Sequence, residues 1–195
     1  MPDPQPVADL KSELRQAALA KRDALPGPMR ATAAETIAAR PFPIPILPGA
    51  IVSGYSPLKS EINPLPLLRV LAQAGAKLAL PVVAGRGKPL TMRAWAFGAP
   101  LASGVWGIRE PLPDADEVFP DILLMPLAAF DRSGNRIGYG AGYYDMTLAR
   151  LRAMKPIVAI GMAFAAQQID KVPATARDER LDLVLTEREV IDWRT

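Results

Sequence analysis

The 195-residue sequence contains no cysteine and no histidine. The first absence excludes disulfides and thiolate chemistry, and the two together remove the ligands from which zinc sites are normally built. A metal bound here is held by oxygen, which leaves hard Mg²⁺ as the candidate. Aromatic residues are only 6% of the chain, and no run of basic residues interleaves with them, so a nucleic-acid surface is not expected. No apolar run approaches the roughly 20 residues of a membrane span, and the Met1-Pro-Asp-Pro-Gln-Pro6 start lacks the basic-then-apolar order of a secretory signal. No membrane partner is expected, and a cytoplasmic location is. A formal net charge of only +3 means a weak long-range field, although the sequence pI is near 9.3.

The hydrophobic content of 50% and the charged content of 22% are those of an ordinary globular protein. The length suits a single domain over residues 1–195 with a sizeable core, residues 1–5 being loose. The 21 prolines are about double the usual share. Many lie in connections such as Pro41-Phe-Pro-Ile-Pro45, which implies stiff loops.

The chain is organised around Asp131-Arg-Ser-Gly-Asn-Arg-Ile-Gly-Tyr-Gly-Ala-Gly-Tyr-Tyr-Asp145. Gly138, Gly140 and Gly142 let the backbone take positive φ and approach a ligand without Cβ interference. Backbone N–H groups in such a concavity, just before a helix N-terminus, form an anion site, and phosphate is the expected guest. Spacing excludes a dinucleotide fingerprint, because Tyr143 stands where its third glycine belongs, and no Gly-Lys-Ser/Thr exists for a Walker A loop. Arg132 and Arg136 before the glycines supply cations for phosphate, and Asp145 after them supplies a carboxylate for a hard metal.

The order of elements gives the context. Periodicity predicts a helix over residues 6–25 with Leu10, Leu14 and Ala17 facing the core, and a second near residues 28–40 using Met29, Ala33 and Ile37. Lys11, Arg15 and Arg22 fall on one face of the first helix and read as a solvated basic face. Strand 50–55, a helix from Asn63 to Gly75 and strand 77–83 make a βαβ unit, so the loop with Ser56 and Glu61 lies at a strand's C-terminal end, where ligands of open α/β sheets bind. Residues 91–97 read as an antiparallel strand, and Trp106 reads as a core residue. Residues 121–126 form a continuous apolar run, as in a strand buried on both faces, and feed the glycine loop. Beyond it follow a helix with Tyr144, Leu148 and Leu151 in its buried row, strand 157–162, an irregular stretch, strand 182–186 and an edge strand at residues 189–193.

These residues carry a resemblance. Residues 131–145 resemble the signature of the 5-formyltetrahydrofolate cyclo-ligase (5,10-methenyltetrahydrofolate synthetase) family. Lys11-x-x-Leu-Arg15, Tyr55-x-Pro-x-x-x-Glu-Ile62, Trp106-Gly-Ile-x-Glu-Pro111, Gly161-x-Ala-Phe164 and residues 173–178 occur in that family's order. The resemblance covers nearly the whole chain. It implies a three-layer α/β sandwich with a mostly parallel central sheet and an N-terminal helical hairpin. It also implies an ATP- and Mg²⁺-dependent ligase of one-carbon metabolism that closes 5-formyltetrahydrofolate to 5,10-methenyltetrahydrofolate, releasing ADP and phosphate. Its partners would be the small molecules ATP and a reduced folate, with a monomer expected and a dimer the alternative.

Carried over by position, Lys11, Arg15, Arg136 and the loop Gly138, Tyr139, Gly140, Ala141, Gly142, Tyr143 and Tyr144 would hold ATP, with Arg15, Arg136 and Tyr144 at the chemistry. Ser56, Glu61, Trp106 and Tyr143 would hold the folate, and Asp145 and Asp178 the Mg²⁺. Two departures stand beside the metal ligands: Arg177 where many members carry histidine, and Met146 where arginine is common. They favour, as the alternative, a diverged relative that binds ATP or folate with weak, absent or altered formamide chemistry.

Overall fold

The computed structural model describes residues 4–194. In chain order the elements are helices α1 (Pro4–Asp23) and α2 (Gly27–Ala39), strand β1 (Ile51–Ser53), helix α3 (Leu65–Gln73), strands β2 (Lys77–Val82), β3 (Thr91–Trp95), β4 (Leu101–Ser103), β5 (Arg109–Pro111), β6 (Ile122–Pro126), β7 (Ala129–Phe130) and β8 (Arg136–Ile137), helix α4 (Tyr143–Met154), and strands β9 (Val158–Met162), β10 (Leu183–Leu185) and β11 (Val190–Asp192). Single 3-10 turns lie at Val105–Gly107 and Ala165–Gln167.

The main sheet has seven strands in the order β11-β10-β9-β6-β1-β2-β3. Pairs β10/β9, β9/β6, β6/β1 and β1/β2 are parallel; the two outermost strands, β11 and β3, are antiparallel to their neighbours. From β1 the chain moves to β2 on one side, and from β6 it moves to β9 and β10 on the other. The connections therefore diverge between β1 and β6, and open α/β sheets place their ligand crevice outside the strand ends at such a point.

The apolar run of β6 explains the layering. Ile122 and Leu124 enter the core cluster with Leu67, Leu68 and Leu71 of α3 and Ala33, Ala34, Ile37 and Ala38 of α2. Leu123 and Met125 enter the opposite cluster with Leu148 and Leu151 of α4. Alternate side chains are buried on both faces, so this strand shows no polar alternation. The result is the expected three-layer sandwich with a mostly parallel sheet.

Helices α1 and α2 follow one another across a short turn, as expected, but pack on different partners. α2 lies against α3, and α1 against the 3-10 turn Ala165–Gln167 and β7. The apolar row read for α1 is corrected: Leu10 and Ala17 are exposed, and Ala18 with partly buried Leu14 and Leu19 makes the contact to Ala128, Ala129, Ile137 and Val172. Met29 of α2 is exposed as well. Both corrections have one cause, because helical period fixes which residues share a face but not which face the tertiary fold covers.

Candidate functional site

Three loops leave the C-terminal ends of β1, β6 and β9 and meet beneath α1. The β6 loop holds the glycines. Its stem is organised by buried Asp131, whose carboxylate accepts from the backbone N–H groups of Ser133, Asn135 and Val172. Burial pushes that carboxyl up, but these bonds outweigh it and hold the group below the ordinary carboxylate value. After β8 the chain takes positive φ at Gly140 and Gly142, and Gly142 is the left-handed N-cap of α4. Gly138 does not use positive φ. The cap makes no side-chain hydrogen bond, so the first N–H groups of α4 face the loop without a side-chain partner from the cap.

Cations of α1 descend on this loop. Lys11, Arg15, Ala18 and Arg22 stand at helical spacings of four, three and four, and they form the face that α1 turns inward. The basic face expected to be solvated is thus directed at the site. Arg15 Nε donates to the Gly138 carbonyl at 2.7 Å, and its guanidinium lies beside Gly140, where a Cβ would meet it at 3.7 Å. Lys11 Nζ is 2.6 Å from Asp178 Oδ2, an oxygen that also accepts from the Thr175 N–H and hydroxyl. Burial raises the Asp178 carboxyl, and the bonds from Lys11 and Thr175 outweigh it, so the group is held below the usual carboxylate range.

Arg136 differs from its expectation as a phosphate-facing cation beside Arg132. It is buried at 6% exposure under the loop, where it donates to Asp145 Oδ1 at 2.8 Å and to the Glu179 carbonyl. Asp145 Oδ1 also accepts from the Glu179 N–H at 3.0 Å. These bonds bring Asp145 against Glu179, the neighbour of Asp178. Arg132 is tied instead to Glu189 outside the loop. Arg177 is exposed.

The β1 loop supplies Ser56 and Glu61. The Ser56 hydroxyl donates to the Arg109 carbonyl at 2.5 Å, joining this loop to the β4–β5 hairpin. Glu61 Oε2 accepts from the Leu58 N–H at 2.7 Å. Burial raises the Glu61 carboxyl, partly opposed by hydrogen bonds from Leu58 and Tyr139 and by the charge of Arg22. Burial and the negative charge of Glu61 push the phenols of Tyr139 and Tyr144 up, so both remain neutral.

Trp106 is not in the core. It is 68% exposed at the hairpin tip, with φ +58, and its ring centroid is 6.2 Å from that of Tyr143. Core burial is refused because the hairpin lies outside the main sheet, and the pair offers flat apolar surface at the cleft.

Two residues were given no site role by the sequence reading. Arg22, 3% exposed, donates to Ser60 Oγ at 2.9 Å and to the Tyr139 hydroxyl at 2.5 Å. The available signal was its helical register with Lys11 and Arg15. Glu110, also buried, accepts from the Val83 N–H at 3.2 Å, and its carboxylate fills the space above Gly104. Its only signal lay in the Trp106-Gly-Ile-x-Glu-Pro111 motif.

Comparison with known proteins matches residues 7–187 to the 5-formyltetrahydrofolate cyclo-ligase family. The chain is 34% identical to the 5-formyltetrahydrofolate cyclo-ligase of Mycolicibacterium smegmatis over 93% of its length and 95% of the relative's. It is 31% identical to that of Escherichia coli K12 over 76% and 84%. The NMR structure of Aquifex aeolicus 5,10-methenyltetrahydrofolate synthetase superposes with TM-score 0.77 at 32% identity, covering 95% of this chain and 94% of that one. A Mycoplasma pneumoniae 5,10-methenyltetrahydrofolate synthetase structure, at 23% identity and TM-score 0.69, shares the fold over 91% and 98%.

Proposed function

The chain belongs to the 5-formyltetrahydrofolate cyclo-ligase family, and from that premise we infer how its own residues carry out the ATP-dependent closure of 5-formyltetrahydrofolate to 5,10-methenyltetrahydrofolate. The observation that carries the assignment is the meeting of the Lys11 and Arg15 cations, the glycine loop at the start of α4 and the Glu61 loop at one point of sheet divergence.

The formamide oxygen is a poor leaving group. Transfer of the γ-phosphoryl group from ATP to that oxygen releases ADP and converts it into phosphate; attack of N10 on the activated carbon then closes the ring, expels phosphate and loses the N10 proton. Little covalent chemistry is asked of the protein, so positioning and charge stabilisation suffice. That suits a site without histidine or cysteine. Arg15 and Lys11, with the N–H groups of residues 138–144, receive the phosphates, and Arg15 stands where the transferring group passes. Arg136 acts from beneath by holding Asp145. Tyr144 is neutral and available as a hydrogen-bond donor. Glu61 accepts from the amide and amino groups of the pterin, Ser56 orders the adjoining loop, and Trp106 with Tyr143 flanks the ring.

Mg²⁺ fits the donors present. Both candidate ligands, Asp145 and Asp178, are carboxylates; Asp145 accepts from Arg136 and the Glu179 N–H at one oxygen, leaving the other for a cation. Among the described residues no group of three acidic side chains forms a cage, so phosphate oxygens and water would complete the shell, as is usual for Mg²⁺. When bound, the ion would neutralise charge on the phosphates. Among the described residues no helix is long and apolar enough to cross a membrane.

Incubation with 5-formyltetrahydrofolate, ATP and Mg²⁺ tests the reading, with the methenyl chromophore expected only when all three are present. Binding of both substrates without ATP-dependent product would overturn it in favour of a non-catalytic relative.

A further inference from the structure

Arg22 is a buried cation that makes no direct ion pair with a buried carboxylate among the described residues, although the charge of nearby Glu61 reaches it through space. The carboxylate within ion-pair range is Asp23, 3.7 Å from Nε and itself 57% exposed at its side chain. Burying a guanidinium is costly unless its N–H groups are satisfied, and here they are spent on two neutral hydroxyls from different loops. One is Ser60, the neighbour of Glu61; the other is Tyr139, within the glycine loop.

We propose that Arg22 couples the two substrate sites: through the Tyr139 hydroxyl it holds the nucleotide loop, and through Ser60 it holds the loop that carries Glu61, so filling one site preorganises the other. This rests on the functional reading above. Phosphates gripping the backbone of residues 138–144 restrict Tyr139, whose hydroxyl restricts the Arg22 fork and hence Ser60. The ordering cost met by the first ligand is then not met again by the second, which is positive cooperativity without a large movement. By linkage the effect is reciprocal. Arg22 is a positioning residue in this scheme and touches neither substrate.

Calorimetry on the full chain tests it, using 5-formyltetrahydrofolate and Mg²⁺ with a non-hydrolysable β,γ-imido analogue of ATP. In the wild type the folate is expected to bind at least about fivefold tighter when the analogue is present, and the reverse by the same factor. Arg22→Lys keeps the charge but loses the fork, and Tyr139→Phe loses only the hydroxyl; in each the ratio is expected to collapse to near one, and the double variant to show no further loss. Should Arg22→Lys fail to fold, Ser60→Ala decides in its place, because it removes the other end of the Arg22 link and leaves the Tyr139–Glu61 contact intact: a collapsed ratio supports the coupling through Arg22 and a full ratio overturns it. A wild-type ratio of one with both ligands binding singly overturns the coupling and leaves the functional reading intact, as does a full ratio in Tyr139→Phe. Failure of the wild type to bind either ligand overturns the functional reading, and the coupling with it.

Discussion

At Glu61, burial and hydrogen bonding pull in opposite directions, and burial prevails: the carboxyl titrates above the ordinary glutamate range. Only the ionised form offers the pterin a charged acceptor. As pH falls through this raised pKa the group takes up a proton, so folate kcat/KM is expected to decline on the acid side earlier than an ordinary glutamate would allow. Glu61→Gln should abolish that limb and weaken folate binding by roughly 1.5 to 3 kcal/mol, about 10- to 100-fold. Calorimetry should find ATP affinity much less affected; an equal loss for both ligands would place Glu61 elsewhere. Arg136 calls for a different outcome. Sequence alone makes it a cation that meets phosphate at the loop, whereas its burial against Asp145 and the Glu179 carbonyl makes Arg136→Ala destabilising. Breaking a buried pair costs about 3 to 5 kcal/mol, and the partial exposure of Asp145 favours the lower end. Denaturant melts should therefore show a clear drop in midpoint, and an unchanged midpoint would refute the structural role.

At the scale of elements, the β4–β5 hairpin stands outside the main sheet and packs on its β2–β3 edge. It is a two-stranded sheet of its own, and besides that packing it is tied to the body by Ser56 on the Arg109 carbonyl and by Glu110 on the Val83 N–H. Gly104 is glycine because a Cβ there would overlap the Glu110 carboxylate. Gly104→Ala should push the hairpin outward and carry Trp106 away from Tyr143. The expected result is a folate KM raised between about 10- and 100-fold, the scale of a 1 Å misplacement, with ATP affinity unchanged. Trp106 fluorescence reporting the same folate affinity as wild type would sink the idea that this hairpin shapes the folate site. In the glycine loop the constraint is backbone conformation: Gly140 and Gly142 hold φ of +99 and +68, which a β-branched residue adopts only under strain.

For the whole molecule, the proposed function puts both substrates where loops from separate strands converge, so binding should stabilise the global fold and not one element. At ligand concentrations near 100 times Kd, each substrate should add about 2.7 kcal/mol, seen as a concentration-dependent rise in the melting temperature. The fold was legible in the sequence because its evidence is local. The apolar run of β6 reports burial on both faces, the interval between β1 and β2 holds one helix and implies a parallel crossover, and the glycines before α4 report a backbone that needs positive φ. Those signals follow from covalent geometry and hydrophobic period, which act within a few residues. Only the tertiary structure decided that the α1 cations turn inward, that Arg136 lies beneath the loop and not upon it, that Trp106 stays in water, and that Arg22 joins two loops 38 and 117 residues distant in sequence. Arginine and tryptophan each have a polar end and a large apolar body, so burial and exposure are both open to them until the packing of remote elements chooses.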